Sequence, residues 1–222
     1  MPEYFRMLGT GVLLGIGVAA PLGPTSATAI RRGLIFGGWA AFWVGMGAAL
    51  TDFFFIFLTY IGIVPLIERI PAIEPVLYLA GAFVLGRMAI GAIREGIEGS
   101  LVLPTTATPG IAEQNTWRSA LMLGIMVTIV NPATITSWLS VGGAFVANDL
   151  ATRPFPEAFG GMLAVMVGSA AWFSVLATIV GVARSSIGRL PWLFRAVGII
   201  SGTVLLVFAI VFGWKGLSAI FG

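Results

Sequence analysis

The sequence predicts an all-α membrane protein of six transmembrane helices, arranged as two inverted three-helix repeats. Two observations carry the membrane assignment. Hydrophobic residues make up 58% of the 222 residues and charged ones 9%, which leaves too little polar surface to cover a water-soluble domain. The apolar residues also fall in runs long enough to cross a bilayer, about 18 residues or more.

The expected spans are 7–30, 37–62, 75–95, 118–146, 158–183 and 195–216. Each is read as helical because backbone groups in hydrocarbon must satisfy one another within the segment. The first run could be mistaken for a signal peptide, since Arg6 precedes it and Val18-Ala19-Ala20 resembles a cleavage site. Its apolar character continues to Ile30, however, too long for an ordinary signal core. The one long polar connection, 98–117, carries Pro104, Pro109 and several Thr. It reads as a linker between a first repeat, 1–97, and a second, 118–222.

The halves resemble each other. Phe36-Gly37-Gly38 and Phe159-Gly160-Gly161 open the second and fifth spans, and in this register Val44-Gly45 matches Val167-Gly168. Leu14-Gly15-Ile16 of span one matches Leu123-Gly124-Ile125 of span four, and spans three and six begin at or after Pro75 and Pro191. Three spans per repeat is an odd number, so the second half must be inverted, as in many secondary transporters. The ends after spans one, three and five hold more Arg than the opposite ends. That bias puts them in the cytoplasm and both termini outside.

The composition excludes several chemistries. No Cys and no His are present, so thiol relays and the common zinc, haem and iron–sulfur sites have no ligands. The net charge of +3 suggests no nucleic-acid partner. No second interior carboxylate stands beside Asp52 for acid–base catalysis, so an enzyme is not expected. No cofactor is expected either.

Four features could carry function. Pro21-Leu22-Gly23-Pro24 lies within or at the end of span one, where two prolines free backbone carbonyls and Gly23 permits unusual conformations. Asn131-Pro132 interrupts span four at the corresponding place. Paired breaks of this kind point to a transport site, although a simple kink or helix end is the plainer reading of either one. Asp52 stands within span two, where a carboxylate costs several kcal/mol unless it is paired, protonated or in a wet cavity. It could hold an ammonium group or carry a proton, or only bond a neighbouring helix. Arg87, in span three, could reach the same depth to meet a carboxylate, or snorkel to the surface. Small residues such as Gly11, Gly15 and Ala19, or Gly198 and Gly202, are expected to let helices approach closely.

Taken together, Gly23-Pro24, then Ala29-Ile30-Arg31-Arg32-Gly33-Leu34, the Gly-rich second span reaching Asp52, and Asn131-Pro132-Ala133-Thr134-Ile135 resemble the LysE/RhtB family of bacterial amino-acid exporters. The resemblance covers nearly the whole chain. It implies a multi-pass transporter of the cytoplasmic membrane that moves amino acids outward, driven by an ion gradient, with protons as the expected counter-ion. The positions it singles out are Pro21, Pro24, Asp52, Asn131 and Pro132. Thr51 stands where family members often have Gly, and Arg87 interrupts a usually apolar stretch. The expected partners are an amino acid and membrane lipid, with a homo-oligomer left open. Two alternatives remain: a membrane structural or assembly factor, and a metal-ion exporter of the same superfamily. The second is disfavoured because Asp52 alone offers a ligand.

Overall fold

The computed structural model describes residues 2–21, 23–62, 73–98, 116–187 and 191–221, and every described element is helical. The expected linker 98–117 falls almost wholly outside the described residues. In chain order the helices are α1 (Pro2–Ala19), α2 (Pro24–Phe36), α3 (Gly38–Tyr60), α4 (Ile73–Glu98) and α5 (Trp117–Ile129). They continue with α6 (residues 132–150), α7 (Phe155–Ile187) and α8 (Pro191–Phe221).

Four stretches are long and apolar enough to cross a membrane on their own: Gly38–Tyr60, Pro75–Arg94, Phe155–Arg184 and Gly198–Ile220. The other two candidate spans are bent pairs. α1 meets α2 at 75° and α5 meets α6 at 67°, which brings the number to six when each pair crosses as one span.

Proline chemistry explains both bends. Pro24 and Pro132 each take the first helical position, where a missing N–H costs nothing. The residue before a proline is driven out of the helical region. Gly23 accordingly has φ −108°, ψ −170°, and Asn131 has φ −87°, ψ 104°, both extended. A different device joins α2 to α3. Gly37, at φ 103°, turns the chain within a single residue while its N–H bonds the Gly33 carbonyl at 2.7 Å.

The small residues set how the helices meet. A Cβ on Gly15 of α1 would run into the Val165 carbonyl of α7, and one on Gly168 of α7 would run into the Val12 carbonyl of α1. The same pattern recurs between α5 and α3, where Gly124 abuts the Val44 carbonyl and Gly47 the Leu121 carbonyl. Tyr4 beside Gly160, Gly11 beside Gly161 and Gly15 beside Val165 and Ser169 rise together, as do Trp43 beside Trp117 and Gly47 beside Leu121 and Ile125, so α1 runs parallel to α7 and α5 parallel to α3. By contrast α3 crosses α7 antiparallel, with Gly38 against Ala177 at one end and Phe53 against Phe159 towards the other. α4 and α8 are antiparallel too, from Gly96 beside Ile199 to Gly216 beside Leu79. Elements from the two halves therefore interlock, rather than forming separate domains.

The pairing of Val44-Gly45 with Val167-Gly168 rested on residue identity, whereas the close contacts fall in another register. Gly47 meets a neighbouring carbonyl as Gly168 does, and the Val44 carbonyl meets a glycine as the Val165 carbonyl does. The reason is steric: the glycine that matters is the one facing a neighbouring backbone, and Gly45 instead faces the Phe173 side chain.

Three buried apolar clusters fill the bundle. Met7, Phe55, Ile56, Trp138, Phe145, Leu150, Met162 and Val165 close it towards the Tyr60 end of α3. Ala19, Ala29, Val44, Ala48, Ala120 and Phe173 lie towards the opposite end, where the Trp43 and Trp117 rings meet at a tilt, 5.1 Å between centroids. A third cluster, with Tyr78, Leu85, Ala89, Leu205 and Phe212, joins α4 to α8 and reaches Val127 of α5.

Candidate functional site

The two helix breaks come together. Thr25, just after the first, and Thr128, just before the second, share a 3.2 Å hydrogen bond between their hydroxyls, and both are buried. Between the larger clusters, beside this contact, lies a cavity of about 50 Å³, space for about one or two water molecules.

Four sequence-predicted residues line it: Pro21, Gly23, Asp52 and Asn131. Pro21 is exposed at its mouth. Hydroxyls come from Thr25, Ser26, Thr128 and Thr134, and the apolar wall from Val18, Ala19, Ala48 and Phe173. Pro24 is buried behind this lining and acts by starting α2. Pro132 likewise starts α6.

Asp52 is the single charged side chain among the described residues that line the cavity. It is 3% exposed and accepts two hydrogen bonds from the other half of the chain. Trp138 Nε1 donates to Oδ1 at 3.0 Å, and the Ser169 hydroxyl donates to Oδ2 at 2.6 Å. Both donors are neutral, so they hold the carboxylate in place without supplying a counter-charge. Each oxygen retains acceptor capacity for a further donor.

Asn131 caps α6, its Oδ1 accepting from the Ala133 N–H at 3.2 Å. The amide Nδ2, a donor, is thereby left for the cavity that Asn131 lines. Gly23 at the head of α2 has no side chain with which to cap, so the first-turn N–H groups of α2 also lie beside the cavity. The lining thus combines one anionic acceptor with neutral donors at the positive end of a helix dipole.

Trp138 and Ser169 were not singled out by sequence reasoning. Ser169, fully buried in α7, had a weak signal as a hydroxyl inside an apolar run. Trp138 had none. It sits in a π-helical stretch, Trp138–Gly142, followed by Gly143–Phe145 and a second such stretch, Val146–Leu150. The wider turn re-aims the side chains that follow, and π turns concentrate at functional sites. Gly142 completes the arrangement, since a Cβ there would stand 2.6 Å from Trp138 Cε3.

Of the two placements open to Arg87, the structure has it away from the cavity. Its side chain is exposed on α4, while Leu85 and Ala89 turn the opposite face into the bundle. Two residues on a helix are about 200° apart, so a helix that buries Leu85 and Ala89 must turn Arg87 outward. Arg87 does not line the cavity. Among the described residues no group of three or more His, Cys, Asp or Glu side chains gathers as for a metal ion.

Comparison with known proteins agrees with the resemblance read from the motifs. The family model described as LysE type translocator matches residues 16–216. A Bacillus subtilis (strain 168) protein named "Putative amino acid efflux protein YcgF" is 26% identical over 211 residues, covering 95% of this chain and 97% of that one. No solved structure matches.

Proposed function

Because the chain belongs to the LysE-type translocator family, we propose that it is a secondary transporter that exports amino acids across the bacterial cytoplasmic membrane in exchange for protons. The relative's name supports the cargo. The observation that carries the reading is the cavity where two broken helices meet around Asp52.

An amino acid brings an ammonium and a carboxylate, and each is costly in a dry interior without a partner. In the proposed pose the ammonium sits on Asp52. The carboxylate accepts from Asn131 Nδ2 and the first-turn N–H groups of α2, the dipole arrangement seen where discontinuous helices bind anionic groups. A proton and the ammonium then compete for the same carboxylate, the simplest way to oblige them to move in opposite directions.

We read the two halves as inverted repeats about this site. The matching contacts of Gly15 with Val165 and Gly124 with Val44 support that, as do the antiparallel pairs α3–α7 and α4–α8. Rocking of one half on the other would expose the cavity to each side in turn, with both termini outside.

The test is uptake of labelled amino acids into everted vesicles under an imposed proton gradient. Wild-type protein should accumulate at least one of them. Asp52→Asn keeps the shape and removes the charge, so it should insert normally and lose gradient-driven uptake. Undiminished transport in that variant at equal expression rejects the mechanism.

A further inference from the structure

Resting on the exporter reading above, we infer that the site selects amino acids with small, uncharged side chains, and that Phe173 is the residue that sets the size limit. The charge inventory comes first. Among the described lining residues one carboxylate is present and no basic group. Asp52 is committed to the α-ammonium, so the second cation of a basic amino acid would be buried with no anion to meet it. An acidic amino acid would bring a second anion with no cation. Arg32, on the same helix as Thr25, is turned elsewhere: it donates to the Ser119 hydroxyl at 2.8 Å and lies over the Phe36 ring.

What remains for the substrate side chain is the apolar wall of Val18, Ala19, Ala48 and Phe173. Phe173 is the one bulky member and is 3% exposed. It cannot retreat into its own helix interface, because Gly45 of α3 already gives up its side chain to admit the ring.

The position of Phe173 also has a pattern behind it. Gly47 and Gly168 make equivalent contacts in the two halves. Asp52 stands five residues past Gly47, and Phe173 stands five past Gly168. Equivalent positions thus supply a carboxylate and a phenyl ring to the same cavity. Its lining combines one anionic acceptor with apolar side chains, which suits a zwitterion with a short aliphatic or hydroxylated side chain.

Labelled alanine, threonine, leucine, lysine and glutamate, each presented to everted vesicles, read this directly. Alanine or threonine should be transported about tenfold or more faster than lysine and glutamate. In Phe173→Ala the ranking should move towards leucine, with the leucine-to-alanine ratio rising about tenfold. The gentler Phe173→Leu should move it the same way by less, which keeps the size claim readable if the alanine variant is poorly made. Lysine or glutamate carried as fast as alanine by the wild type overturns the charge claim while leaving export intact. An unchanged leucine-to-alanine ratio in both variants overturns the role of Phe173. Transport of none of the five overturns this inference, and only failure across the full set of labelled amino acids rejects the exporter reading as well.

Discussion

Asp52 of α3 and Trp138 of α6 belong to opposite halves of the chain and are joined by a 3.0 Å hydrogen bond from the indole Nε1 to Oδ1. Ser169 completes the clasp from α7 at 2.6 Å. A hydrogen bond to a charged group is worth about 1.5–3 kcal/mol, and about 1.4 kcal/mol is a factor of ten. Trp138→Phe keeps most of the ring and loses the donor; Ser169→Ala loses the hydroxyl alone. Each should slow export by about tenfold or more at unchanged protein level, read as initial rates in vesicles. Wild-type rates in both would make the clasp irrelevant to transport.

The hydrogen bond between Thr25 and Thr128 offers a lock. Their hydroxyl oxygens are 3.2 Å apart, and the chain contains no other cysteine to interfere with a crosslink. The double variant Thr25→Cys/Thr128→Cys should crosslink under mild oxidation and stop export, and reductant should restore it. Neither single variant should respond to oxidant. Full export in the oxidised double variant, with the crosslink verified by mass, would show that the breaks need not separate.

Glycines at backbone contacts should be intolerant where open ones are not. Gly15 and Gly124 face neighbouring carbonyls, whereas nothing stands within 4 Å of a Cβ added at Gly9 or Gly17. Gly15→Leu and Gly124→Leu should cut the detergent-stable protein recovered at least several-fold. Gly17→Leu should be recovered as wild type. Size-exclusion profiles of the three variants decide this, and equal recovery would contradict the packing described.

Arg87 should be dispensable for substrate handling. It is exposed on α4, away from the cavity. Arg87→Gln should leave the concentration for half-maximal export within about twofold of wild type, since substitutions away from such features usually cost less than about 0.5 kcal/mol. A tenfold rise would place the guanidinium at the substrate.

The sequence was most legible where covalent chemistry dictates local structure. Pro24 and Pro132 cannot continue a helix from the preceding turn, so both breaks could be read from the residues alone. Asp52 was legible for a related reason: a carboxylate inside an apolar run has few affordable places to go. What could not be read was set by packing. The identity of the Asp52 donors depends on the π-helical turn that carries Trp138 and on the crossing of α3 with α7, neither of which has a periodic signal. The outward placement of Arg87 depends on which face of α4 meets α8, and apolar residues surround it on every side in the sequence. The two-residue shift between Val44-Gly45 and the packed register arose because identical dipeptides need not occupy equivalent contacts.

The clusters on either side of the cavity differ in bulk, and that difference sets how hard each end is to pull apart. Towards the Tyr60 end the helices are held by Met7, Phe55, Ile56, Trp138 and Met162, long side chains with many atoms in contact. Towards the Trp43 end four of the six buried cluster members are alanines. The larger groups packed against them, Trp43, Leu123, Trp172 and Leu176, are only partly buried, so parting the helices there breaks fewer fully buried contacts. In the proposed export cycle the lighter end is therefore the one expected to part first, and the heavier end second.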